Sequence, residues 1–160
     1  NLVAGRAYVL LLLETAQAVK CVDDILRVQG IDEVTIGLND LHRDLGKKSH
    51  FEILTSDLML TLSEKVRAKS IRFGFGTLAK TSDVHLPVSP DLICAQYPRL
   101  KGTTCRLHRY FLGKQPLELD FDLEVKNLRM QLAYWHDQGP KRWEQAKRSL
   151  VEIFDKWSAS

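Results

Sequence analysis

The chain has 160 residues, with 23 Lys+Arg against 20 Asp+Glu and a net charge of +3. Its 44% hydrophobic and 27% charged residues exclude compositional disorder and allow a buried core. So small a basic excess argues against a nucleic-acid partner, and no run reaches the ~18 apolar residues of a membrane span. Three cysteines, Cys21, Cys94 and Cys105, have no metal-ligand spacing; they read as buried, reduced thiols of a cytoplasmic protein.

The first residue is Asn1 and no signal-peptide pattern follows, so the expectation is a chain that begins inside a domain. Tyr8–Leu13 is a continuous apolar run, the pattern of a strand buried on both faces. Ala16, Val19, Val22, Ile25 and Leu26 follow at helical spacing, with Gly30 as the stop. Val34–Leu38 reads as a second strand ended by Asn39-Asp40, and helical spacing resumes around Leu58, Leu62 and Val66. Ile71–Gly76 reads as a third strand, and Pro87 and Pro90 open a helix over Asp91 to Leu100. Thr104–Leu107 reads as a fourth strand. The order β-α-β-α-β-α-β argues for right-handed βαβ units and a parallel sheet.

The remainder has a different period. Phe121, Val125, Leu128, Leu132 and Trp135 line one helical stripe, Gly139-Pro140 breaks it, and Trp143, Ala146, Leu150, Phe154 and Trp157 line a second. The division expected is residues 1–115 as the α/β part and residues 116–160 as a helical hairpin. The three tryptophans on that hairpin suit either packing on its own domain or an oligomerisation arm.

Glu14 directly follows the first strand and Asp40 the second, about one βα unit apart. In parallel α/β folds, sites lie at the C-terminal ends of strands. Neighbouring strands are ~5 Å apart, so two acids from adjacent strand ends can share one hard divalent cation. The plainer alternative is that each carboxylate caps or faces a helix N-terminus.

These segments resemble a known family. Leu11-Leu12-Leu13-Glu14-Thr15-Ala16-Gln17-Ala18-Val19 is similar to the "IET-x-x-A" strand end of the HpcH/HpaI aldolase and citrate lyase β-subunit family. Val28–Val34 resembles its "VpGVD" segment, and Ile36-Gly37-Leu38-Asn39-Asp40-Leu41 its "iGpnDL" motif, with Leu38 where proline is common. The likeness continues through Phe73-Gly74-Phe75-Gly76 and Pro90–Leu100 to Leu107-His108-Arg109-Tyr110-Phe111. The resemblance implies a (β/α)8 TIM-type barrel. That fold needs ~250 residues, so the likeness would cover its second half only, strands five to eight. It implies a divalent-metal-dependent carbon–carbon lyase that acts on a 2-oxo acid or acyl-CoA substrate by stabilising an enolate. Glu14 and Asp40 would be the metal ligands, for Mg²⁺ or Mn²⁺ or another divalent ion. Gly37, Leu38 and Asn39 would adjoin the substrate. The family's substrate-binding arginine and base region lie on early strands, so no catalytic base is assigned, and the chain alone is expected to be inactive. The family also tends to form homo-oligomers through C-terminal helices.

Other candidates have plainer uses. His42 follows Asp40 and can reach a site mouth, but a lone loop histidine commonly has a surface or capping role. Arg109 suits an anionic substrate or a salt bridge. Gly74-x-Gly76 lacks the third glycine of a dinucleotide fingerprint and suits a tight strand-to-helix turn. Lys141, Arg142, Lys147 and Arg148 read as a solvated helix face. Two other function classes compete with the enzyme: a non-catalytic interaction module on a degenerate half barrel, and a small α/β protein with a response-regulator-like Mg²⁺ site.

Overall fold

A computed structural model describes residues 5–83, 85–108, 111 and 120–158. Among these, four strands alternate with helices: β1 (Leu10–Leu13), α1 (Ala16–Lys20), α2 (Val22–Ile25), β2 (Glu33–Ile36), α3 (Leu38–Asp44), α4 (His50–Thr55), α5 (Asp57–Ala68), β3 (Arg72–Leu78), α6 (Pro90–Cys94), α7 (Gln96–Arg99) and β4 (Thr104–Leu107). Two long helices follow, α8 (Phe121–Asp137) and α9 (Pro140–Ser158). The strands form one sheet in the order β1-β2-β3-β4. β1 pairs with β2 and β2 with β3 in parallel, and the bonds Thr103 N–H to Phe73 O and His108 N–H to Leu78 O give β4 the same direction. This is the parallel α/β architecture that the alternation of elements predicts, and it is that of part of the TIM-type barrel that the resemblance implies.

Chain contacts divide the molecule into two compact units: residues 1–75 with 102–104, and residues 76–101 with 105–160. In the first, the strand register sorts side chains onto two faces. Leu13, Val34, Ile36, Phe73 and Phe75 are buried in a core with Leu38, Leu41, Ile53, Leu54, Met59, Leu62 and Val66. The opposite face holds Leu10, Leu12, Glu33, Thr35, Arg72 and Gly74. Leu10 and Leu12 there are 36% and 37% exposed. The apolar run of β1 is thus covered on one face and not both, because the helices after each strand cover a single face of the sheet. Glu33 is buried but satisfied: its carboxylate accepts from Tyr8 Oη at 2.9 Å and from Thr35 Oγ1 at 2.8 Å.

Local chemistry explains the helix boundaries. The segment expected to be one helix up to Gly30 is α1 and α2, broken by a turn at Cys21. Thr15 caps α1 by accepting from Ala18 N–H at 3.1 Å, and α2 ends at its C-cap Leu26, so Gly30, at a positive φ of 86°, sits in the turn that follows and is not the helix stop expected of it. Val34–Leu38, read as one strand, stops at Ile36; Leu38 and Leu41 bury one side of a new helix instead. That helix ends in a Schellman closure, Lys47 N–H to His42 O and Gly46 N–H to Arg43 O, with Gly46 at φ 66°. α4 opens with a reciprocal Ser49–Glu52 capping box.

Gly74 and Gly76 lie inside β3, not in the tight turn expected of them. A Cβ on Gly74 would stand 2.8 Å from the Thr104 carbonyl oxygen and closer still to Thr104 Oγ1, so glycine there admits β4. A Cβ on Gly76 meets nothing nearer than 3.9 Å.

In the second unit the helix expected over Asp91–Leu100 is α6 and α7, with Pro90 at its first position as anticipated. α8 and α9 form the hairpin that the two stripes encode, and they pack on α6 and α7. Leu128, Trp135, Ala146, Leu150 and Phe154 are buried, whereas Phe121 and Trp157 at the two ends are 45% and 44% exposed. Asp91 fixes the contact by accepting from Trp135 Nε1 at 2.6 Å and from Gln131. The cysteines are not alike: Cys94 is buried, Cys21 half-buried and Cys105 exposed. Burial, aided by the Asp91 carboxylate, pushes the Cys94 thiol up to about 12.

Gly74→Ala is expected to lower stability by about 1–3 kcal/mol through overpacking, read from urea unfolding midpoints. Gly76→Ala, with open space, is expected to stay within about 0.5 kcal/mol of the parent. At pH 8 a thiol reagent is expected to label Cys105 rapidly in the native protein and Cys94 only after denaturation, because Cys94 is then both buried and fully protonated. Equal labelling rates would contradict that placement.

Candidate functional site

The C-terminal ends of β1 and β2 carry the two acids singled out by the sequence. Leu13 pairs with Ile36, and Gly37 N–H donates to Leu13 O at 2.8 Å, so the residues that follow, Glu14 and Gly37, leave the sheet side by side. A Cβ on Gly37 would stand 2.8 Å from Glu14 Cβ and 3.0 Å from Glu14 Oε2. The Glu14 side chain therefore occupies the space that any other residue at 37 would fill. Gly37 is the N-cap of α3 and offers no side-chain cap of its own.

Asp40 sits in the first turn of α3 rather than in a loop after the strand. Glu14 and Asp40 line one open cleft of about 420 Å³, together with Thr15, Arg43 and Asp44. The sequence reading missed Arg43 and Asp44. Their signal was the spacing of Leu38, Leu41 and Leu45, which makes Asp40, Arg43 and Asp44 successive members of one helix face.

The partners of the five residues differ. Asp40 meets Arg43 at 3.6 Å, with both side chains largely exposed. At that separation in water the pair is worth about 0–1 kcal/mol and yields easily to another ligand. Asp44 accepts from the main-chain N–H of Ala16 at 2.5 Å, the first residue of α1. At α1 the capping role considered for Glu14 falls to Thr15 and Asp44, whereas Asp40 stands in the first turn of α3, where the plainer alternative put it.

The other sequence candidates lie elsewhere. Gly37, Leu38 and Asn39 adjoin the acids in the chain but are not among the residues lining the cleft, and the Leu38 side chain is buried. His42 Nδ1 lies 3.1 Å from Leu38 O, and its ring packs edge-on to His50 with centroids 6.0 Å apart. Arg109 lies outside the described residues.

Two carboxylates on an open cleft suit a small hard cation, which commonly takes one or two carboxylates and keeps several waters. Among the described residues no group of three or more His, Cys, Asp or Glu is arranged to hold a metal. No helix among the described residues is long and apolar enough to cross a membrane.

Comparison with known proteins finds likenesses in sequence and in fold. The family model described as HpcH/HpaI aldolase/citrate lyase matches residues 3–79. No curated protein sequence matches the chain. Among solved structures, the chain is similar to an HpcH/HpaI aldolase from Desulfitobacterium hafniense DCB-2, with 20% identity and a TM-score of 0.53 over 76% of this chain and 42% of that one. It is also similar to a citrate lyase from Burkholderia xenovorans LB400, with 14% identity and a TM-score of 0.55 over 97% of this chain and 46% of that one. At these identities the likeness is one of fold, and the chain spans less than half the length of either structure. The stretch matched by the HpcH/HpaI aldolase/citrate lyase model, residues 3–79, carries both acids and every residue that lines the cleft.

Proposed function

We propose that the chain is the C-terminal portion of a divalent-metal-dependent carbon–carbon lyase, with Glu14 and Asp40 as the protein's ligands to Mg²⁺ or Mn²⁺. The observation that carries this reading is that the two acids, separated in sequence by a strand and two helices, line the same cleft at the C-terminal end of a parallel sheet. Each residue has a defined task. Gly37 leaves the room in which Glu14 lies, and Glu14 is held half-buried against it. Asp40 projects from a helix whose Leu38 and Leu41 are anchored in the core, so its main chain is fixed while its carboxylate stays open to the cleft. A bound divalent ion supplies Lewis-acid stabilisation of the negative charge that develops on a substrate carbonyl oxygen.

The substrate class is a 2-oxo acid or an acyl-CoA. Arg43 bears the cleft's positive charge and is only loosely held by Asp40, so it suits the carboxylate of such a substrate. Gly37, Leu38 and Asn39 would act through their main chain, since the side chain of Leu38 is committed to the core. Residues 1–115 would be the barrel half and residues 116–160 an arm that joins a homo-oligomer, supported by the exposed Phe121, Leu123, Met130 and Tyr134 of α8. Placement in the cytoplasm remains part of the same proposal.

Calorimetric titration with Mg²⁺ and Mn²⁺ tests the ligand assignment. Asp40→Asn and Glu14→Gln are each expected to bind at least about 100-fold more weakly than the parent, since changes behind the direct ligands already cost about 10–100-fold. Unchanged affinity in either variant refutes its role. The oligomer reading predicts a mass above that of one chain by light scattering at micromolar concentration; a monomer mass removes it.

A further inference from the structure

Three carboxylates, not two, face the cleft, and the third is differently engaged. Asp44 stands one helical turn beyond Asp40 on the same face of α3. Its Oδ2 accepts from Ala16 N–H at 2.5 Å, a short charge-assisted bond to the first residue of α1. Ala16 lies two positions after Glu14. The bond therefore ties the loop that carries Glu14 directly to the helix that carries Asp40. Thr15 already serves Ala18 N–H, so Asp44 answers a separate orphan donor of the same helix start. Asp40 is otherwise joined to the sheet through the turn at Gly37 and the apolar side of α3.

We propose that Asp44 is a positioning residue: by holding the Ala16 N–H it keeps Glu14 and Asp40 together on one cleft for a divalent cation, and it does not itself ligate the ion. The inference rests on the divalent-ion reading of Glu14 and Asp40. It deepens that reading by separating the third acid of the cleft from the ligand pair.

The test removes each end of the bond in turn. Asp44→Ala deletes the acceptor. Ala16→Pro deletes the donor and leaves every carboxylate in place. Proline is tolerated at the first position of a helix, and the residue before it, Thr15, already has the extended backbone that a following proline demands, φ −127° and ψ 150°. Ser49→Ala, which loses the cap of α4 away from the cleft, serves as the control for general loosening. Mn²⁺ affinity is measured by calorimetry or electron paramagnetic resonance, and folding of each variant by circular dichroism and urea titration.

Asp44→Ala and Ala16→Pro are each expected to weaken Mn²⁺ binding by about 10–100-fold. The double variant should be no weaker than either single one, because both remove the same bond. Ser49→Ala should bind as the parent does. A folded Ala16→Pro with parental affinity overturns the proposal, because it shows that the bond to Ala16 is dispensable and leaves direct ligation as Asp44's only role. Equal weakening in Ser49→Ala also overturns it. If Asp44→Ala does not fold, Ala16→Pro decides alone. A parent chain that binds no Mn²⁺ overturns both this proposal and the ligand assignment, whereas parental binding with unaltered Ala16→Pro overturns this one only.

Discussion

The parallel pairing of β1 with β2, in the register that sets Leu13 beside Ile36, is the constraint on which the cleft depends. It delivers Glu14 and Gly37 to one end of the sheet next to each other. Because parallel partners keep their side chains on the same faces, a slip of one residue would exchange faces along the whole strand. The core penalises such a slip: Leu13, Val34, Ile36, Phe73 and Phe75 are all but fully buried on one face, while Thr35 and Glu33 are hydrogen-bonded on the other. The position of the first acid is thus fixed by apolar burial along its own strand, beginning at the adjacent Leu13.

Two glycines show how closely neighbouring strands are made to approach. At position 37 the absent side chain makes room for the Glu14 side chain, and at position 74 for the Thr104 main chain. In each case what matters is space rather than backbone freedom, since neither has a positive φ. Where a left-handed backbone is needed, Gly46 closes α3 ahead of α4, and Gly30 turns the chain between α2 and β2.

The second unit follows a separate logic. Its long helices bury the middle of each apolar stripe and leave the ends, Phe121 and Trp157, in solvent. Trp135 is both a packing residue and a donor to Asp91, and Trp143 donates to the Trp135 carbonyl at 2.8 Å. The tryptophans in the hairpin are therefore largely spent on holding the unit together. The burial of Cys94 belongs to the same core, and it leaves that thiol inert while Cys105 is open to solvent.

By itself the sequence determined the order of strands and helices, the hairpin and the pairing of Glu14 with Asp40 as a candidate site, because each is written in short-range periodicity or in residues that end strands. It was less informative where short elements adjoin. The helix read from Ala16 to Leu26 breaks at Cys21, Asp91–Leu100 divides in two, and α3 begins where a strand was expected to continue, since an apolar run of five residues suits either state. Only the tertiary structure decided that Gly37 accommodates Glu14, that Gly74 admits β4, and that Asp44 reaches the start of α1. Those facts depend on distances between segments far apart in the chain, which no local pattern encodes. Arg43 and Asp44 became legible as cleft residues only once α3 was known to be a helix, because a helix sets residues three and four positions apart on one face.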